Sequence, residues 1–150
     1  FSVNWYFQAI DRQLGASLIK DYIQKTEYGN QNLDADISSY WIESTLKISA
    51  IEQVQLLTKL FTNDFGFAPE NIDAVKNSLL LSSSADGSFY GKTGTGCVNG
   101  HDVNGWFVGC VESYGHSYFF AANIKSSDHA TGSRASEITR SILSDQKLWK

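Results

Sequence analysis

Apolar residues fall at helical spacing over positions 3–14, at Val3, Tyr6, Phe7, Ile10 and Leu14, and Gly15 stops the run. A second short helix is expected over 17–26. Residues 28–40 lose the period and fill with asparagine, aspartate and serine, the signature of a loop shaped by side-chain hydrogen bonds to its own backbone. The helical stripe returns over 51–61, with Ser49 as cap and Glu52 completing a capping box. A further helix is predicted over 71–81. The period then falls to two: residues 88–95, 105–112 and 117–124 are strand candidates, joined by Asn99-Gly100 and Tyr114-Gly115 turns into a meander. A last helix over 130–148 carries Ala135, Ile138, Ile142 and Leu143. Helices, then an antiparallel sheet meander, then a helix make an α+β fold. No repeat or linker divides the 150 residues, and the single proline, Pro69, stands in a short polar connection.

Composition narrows the function classes. The formal charge is -4, and no cationic stripe suits nucleic acid. No apolar run approaches a membrane span, and no targeting signal is read at the amino terminus. With a hairpin turning near His101 and Asp102, Cys110 would face Thr93 and Cys97 would lie four residues further along the strand. That exceeds the roughly 7 Å reach of a disulfide, so two free thiols are expected.

Gly87 with Gly91-Lys92-Thr93 is one residue short of a phosphate-binding loop, and small residues running into a turn follow it instead of a helix. His101, His116 and His129 stand alone, and Cys97 with His101 lacks a second ligand pair, so no metal or cofactor is expected. The more informative stretch is Tyr90-Gly91-Lys92-Thr93-Gly94-Thr95-Gly96 followed by Gly105-Trp106-Phe107-Val108-Gly109. It places a cation, two hydroxyls and bare backbone amides on one strand edge, which is what an acyl-transfer site needs to hold a carboxylate and an oxyanion. Taken singly, a lysine on an edge strand is more often only a solvated edge. Ser2-Val3-Asn4 reads as a helix start, Tyr28-Gly29-Asn30 as a turn, and Trp41-Ile42-Glu43 with Leu46-Lys47-Ile48-Ser49 as core and capping.

In their order and spacing, these segments resemble the penicillin-recognising serine enzymes. Within that family the likeness is to class D β-lactamases and to sensor domains of the BlaR and MecR type, and it spans nearly the whole chain. The resemblance implies that Ser2 passes a proton between a catalytic lysine and the β-lactam nitrogen, and that Asn4 contacts the substrate side-chain amide. It implies that Lys92, Thr93 and Thr95, with Gly94 between them, hold the drug's carboxylate, and that the Thr95 amide is an oxyanion donor. Trp41 is similar to the loop tryptophan that supports a carboxylated lysine, and Arg134 is nearest to the family's carboxylate-binding arginine. The loop departs from the family at Asp34-Ala35-Asp36, where a glycine pair is common.

The family's nucleophile stands in a Ser-x-x-Lys motif ahead of the Ser-x-Asn element, and here only Phe1 precedes Ser2. The literal matches at Ser17–Lys20, Ser44–Lys47 and Ser144–Lys147 are each better read as helix start, post-loop segment and chain terminus. Residues 1–150 are therefore expected to be a partial penicillin-binding or β-lactamase-like domain lacking its Ser-x-x-Lys segment, inactive alone. The expected parent is an extracytoplasmic class D β-lactamase, with a membrane-borne sensor acylated without turnover as the alternative. The expected partners are a β-lactam and, through uncovered apolar faces, either a second copy or the missing segment.

Overall fold

The computed structural model of the chain describes residues 3–149, and the chain divides into two units, Phe1–Glu52 and Gln53–Lys150. In the first, α1 (Asn4–Lys25) is two helical stretches merged across a kink at Gly15, whose φ of 78° and ψ of 160° lie outside helical geometry. The break predicted at Gly15 is therefore present, at a residue without the Cβ that would make such angles costly. The polar loop that follows is built as its composition predicts. The Asn32 N–H donates to Asn30 Oδ1 (3.2 Å), the Asp34 N–H to Asn32 Oδ1 (2.9 Å) and the Ser38 N–H to Asp36 Oδ1 (2.8 Å).

Asn30 also joins two of the separated motifs. Its Oδ1 accepts from the Lys47 N–H, its Nδ2 donates to the Thr45 carbonyl, and its N–H donates to the Lys47 carbonyl, each at 2.9 Å. The segment Leu46-Lys47-Ile48-Ser49 is thereby clamped as it approaches α2 (Ala50–Phe61). The capping box is reciprocal, the Ser49 N–H donating to Glu52 Oε2 (2.8 Å) and the Glu52 N–H to Ser49 Oγ (3.2 Å).

In the second unit follow α3 (Pro69–Leu79), β1 (Leu80–Ser84), β2 (Gly87–Val98), β3 (His101–Ser113), β4 (His116–Lys125) and α4 (Gly132–Asp145). The strands form one antiparallel sheet in the order β1-β2-β3-β4. Three expectations need correction. The helix predicted over 71–81 starts earlier, with Pro69 in its first turn. It ends at Leu79, and Leu80 and Leu81 begin β1, an edge strand that the periodicity missed. Consecutive leucines followed by serines carry no alternation, and every β1 residue is exposed. The last helix is likewise shorter than 130–148.

The β2–β3 register also differs. Thr93 faces Phe107, and Cys110 faces Tyr90 rather than Thr93. The hairpin turns at Asn99-Gly100, both in the left-handed region (φ 52° and 83°), and the register shifts between Gly96 and Cys97. The two thiols are free, Cys97 exposed and Cys110 buried. Burial pushes the Cys110 thiol up to about 12, which leaves it inert.

One face of the sheet carries the core. Phe89, Phe107 and Val111 pack with Ala135 and Leu143 of α4, flanked by Phe120, Ile124, Leu148 and Trp149. The Phe89 and Phe107 rings meet edge to face at 6.1 Å. The opposite face takes Phe61 from the end of α2, which packs edge-on against Tyr90 (5.4 Å) and Phe119 (5.5 Å), with Lys76 Nζ of α3 4.8 Å above its ring.

Candidate functional site

β1 pairs only with the first residues of β2, from Ser84 opposite Gly87 to Leu80 opposite Tyr90. Among the described residues, positions 91–98 of β2 therefore have a strand on one side only, and their outer edge offers backbone donors and acceptors. Lys92, Thr93, Gly94 and Thr95 lie on this edge. Strand alternation sends Thr93 and Thr95 to one face and Lys92 to the other. The threonine face is that of α4: Thr95 Oγ1 accepts from the Gly132 N–H at 2.9 Å. A Cβ added at Gly132 would meet Gly94 O at 2.6 Å and Thr93 Cβ at 2.9 Å. The start of α4 thus lies directly on the Thr93-Gly94-Thr95 segment, with nothing larger than hydrogen tolerated at the contact.

This contact leaves chemistry in hand. A hydroxyl has two acceptor lone pairs and one proton, so Thr95 can accept from Gly132 and still donate to a bound carboxylate. The positive end of α4 adds to the field there. Lys92 Nζ donates to the neighbouring Thr93 carbonyl, and partial burial lowers its ammonium from the ordinary lysine value while the side chain keeps an exposed surface.

α4 starts well because Thr131 caps it, accepting from the Arg134 N–H at 3.1 Å. Arg134 lies in this first turn with an exposed side chain, its Nη1 3.1 Å from Glu137 Oε2. A carboxylate ligand recruiting Arg134 has a rim-exposed ion pair to displace, which costs little. The approach to Thr131 is tied down by Asp128, which accepts from the Asp102 N–H (3.1 Å) and the His129 N–H (2.8 Å) and pairs with His101 Nδ1 (3.1 Å).

In the amino-terminal unit, Asn4 is the first residue of α1 and is exposed. Ser2 lies outside the described residues. Trp41 sits on the loop with its indole Nε1–H donating to Asp11 Oδ2 of α1 at 2.9 Å. Asp11 was not singled out in the sequence, although it falls four residues after Phe7 on the apolar side of the helix, where a carboxylate is out of place. Gly132 and Asp128 were missed too, because both act through contacts far apart in sequence.

A cleft of about 330 Å³ lined by Asp86, Glu112, Tyr114 and His116 opens at the other end of the sheet, and none of the sequence-predicted site residues lines it. This cleft is therefore separate from the candidate residues on the β2 edge.

Comparison with known proteins points the same way. The penicillin binding protein transpeptidase domain matches residues 1–144. The methicillin resistance mecR1 protein of Staphylococcus aureus (strain Mu50 / ATCC 700699) is 41% identical over 148 residues, covering 99% of this chain and 25% of its own length. The probable β-lactamase YbxI of Bacillus subtilis (strain 168) is 34% identical over 143 residues, covering 95% of this chain and 51% of its own. The C-terminal domain of the Bacillus licheniformis BlaR penicillin-receptor superposes with a TM-score of 0.92 at 39% identity, over 98% of this chain and 59% of that one. The chain thus spans about a quarter of the first relative's length and about half of the second's.

Proposed function

Because the chain belongs to the penicillin-binding protein transpeptidase domain family, we propose that it forms the carboxy-terminal part of a serine acyl-enzyme domain that binds β-lactams. The observation that carries this reading is the unpaired β2 edge bearing Lys92, Thr93 and Thr95, with the Gly132 amide seated on Thr95. A lysine ammonium and two hydroxyls along one strand suit the carboxylate of a bicyclic drug, and charge-assisted bonds of this kind are the stronger ones.

In this reading the nucleophilic serine and its lysine come from a Ser-x-x-Lys segment ahead of Ser2. The serine gives its hydroxyl proton to the lysine, its Oγ bonds to the lactam carbonyl carbon, and the ring C–N bond breaks. Ser2 passes the lysine's proton to the departing nitrogen. The Thr95 amide steadies the oxyanion, a role worth about 3 kcal/mol where such donors have been removed. Asn4 contacts the drug's side-chain amide, and Arg134 leaves Glu137 to share the carboxylate.

Two parent activities follow, each with its own support. Likeness to the probable β-lactamase supports a hydrolase in which water then releases the acyl group. Likeness to the mecR1 protein and the BlaR penicillin-receptor supports a sensor that stays acylated. In both, this portion stands outside the cytoplasm. No described helix is long and apolar enough to cross a membrane.

Intact mass of the longer protein after incubation with penicillin tests the common claim, the expected result being one covalent adduct. A chromogenic cephalosporin then separates the parents: sustained hydrolysis identifies the enzyme, and a stoichiometric burst identifies the sensor. Absence of both an adduct and hydrolysis overturns the acyl-enzyme reading.

A further inference from the structure

Asp11 is the buried carboxylate that the proposed chemistry does not use. It is 8% exposed, and ionisable groups at such depth persist only when partners replace their lost water. Two donors from the loop converge on it. The Trp41 indole Nε1–H reaches Oδ2 at 2.9 Å, and the Tyr40 hydroxyl reaches the other oxygen, Oδ1, at a longer 3.4 Å. Holding both oxygens fixes the plane of the carboxylate, and with it the direction in which the indole points. Tyr40 is as buried as Asp11, and burial, reinforced by the Asp11 charge, pushes its phenol up to about 12. It therefore remains a donor throughout the physiological range.

An indole has one N–H and no acceptor. While that proton serves Asp11 it cannot serve a second carboxylate at full strength, and a rival must detach it from a charged acceptor that would be left buried without its better partner. We propose that Asp11 is a positioning residue for Trp41, holding the indole N–H and so withholding it from the base that drives release of the acyl group. The proposal rests on the acyl-enzyme reading, extended by the likeness of Trp41 to the family's loop tryptophan, with a carboxylated lysine as that base and Trp41 as its support. In the release step a water oxygen bonds to the acyl carbon and the bond to the serine Oγ breaks. The water's proton passes through the base to that Oγ. A base deprived of the indole is held less firmly, so the acyl group stays longer. This places a brake on turnover within α1 and the loop.

The test compares the longer protein with its Asp11→Asn variant, which keeps the shape and an acceptor oxygen but removes the charge. After acylation by penicillin, decay of the adduct is followed by intact mass. The expected result is decay about tenfold faster in the variant, equivalent to about 1.4 kcal/mol of barrier, with a much smaller change in the rate of adduct formation. In a Trp41→Phe background the same substitution should have no effect on decay. The 150-residue chain supplies a second readout, the Trp41 indole N–H resonance identified by its loss in Trp41→Phe. It should exchange slowly with solvent, and its chemical shift should move in the Asn variant.

Unchanged or slower adduct decay in Asp11→Asn overturns the proposal, as does an indole proton that exchanges as readily as that of Trp5, which is 71% exposed. Absence of both an adduct and hydrolysis on the unaltered protein overturns the acyl-enzyme reading and this inference with it, whereas rapid hydrolysis without a persistent adduct overturns this inference alone. Adducts that form and decay alike in both proteins overturn this inference alone.

Discussion

Asp128 collects hydrogen bonds from His101 of β3 and from the backbone of His129 and Asp102, and these hold its carboxyl down at about 2, the His101 bond contributing most. The sign of the resulting pH dependence follows from linkage. A carboxyl whose folded pKa lies below its unfolded value of about 4 contributes stability that is complete above pH 4 and lost as pH falls towards about 2. Urea unfolding followed between those limits should therefore show the unaltered chain losing more stability than Asp128→Asn. An identical acid limb in the two would contradict the assignment. The position was not legible beforehand, because its meaning depends on a register that brings Asp102 and Asp128 together. Lys92, Thr93 and Thr95 could be put forward from the sequence because the chemistry proposed for them stands within four residues of one strand. The same contrast separates Trp41, marked by its motif, from Asp11, which is explained only once the loop folds back on α1.

At the level of elements, the signals that succeeded were local. Gly15 breaks α1, Ser49 and Glu52 cap α2, and the paired turns delimit the meander. Those that failed depended on pairing. β1 has no period of its own and exists because Leu80–Ser84 finds an edge on β2. The β2–β3 register was displaced because a shift at Gly96/Cys97 and the Asn99-Gly100 turn together set which residues oppose. The fit of α4 onto β2 is a close contact that positions the site. In Gly132→Ala the new methyl would press on the Gly94 backbone, lifting the helix start and breaking the Gly132–Thr95 bond. Overpacking of this kind costs about 1–3 kcal/mol. Denaturant unfolding should register the loss, and the Gly132 amide should lose protection from hydrogen exchange first. A variant with unaltered stability and protection would refute the close approach.

For the molecule as a whole, apolar surface is the outstanding liability. In the amino-terminal unit Trp5 is 71%, Tyr6 51% and Phe7 53% exposed, and in the carboxy-terminal unit Leu81 is 46% and Ile142 55% exposed. Side chains of this size rarely face water together in a monomer. We therefore expect the isolated 150 residues to self-associate, or to pair with a segment that completes the domain. Light scattering should find species above the monomer mass at micromolar concentration, and a monodisperse monomer would contradict the expectation. At this scale the α+β class and the family were both legible in the sequence, because the spaced motifs run nearly from end to end of the chain.

The central claim is that the β2 edge receives the drug's negative charge through Lys92. Its most direct test is the second-order rate of acylation of the longer protein by penicillin, measured beside Lys92→Ala. Loss of a charge-assisted hydrogen bond predicts a fall of about tenfold to hundredfold, with the fold intact by circular dichroism. Equal rates in the two proteins would show that the strand edge does not hold the ligand and would contradict the account.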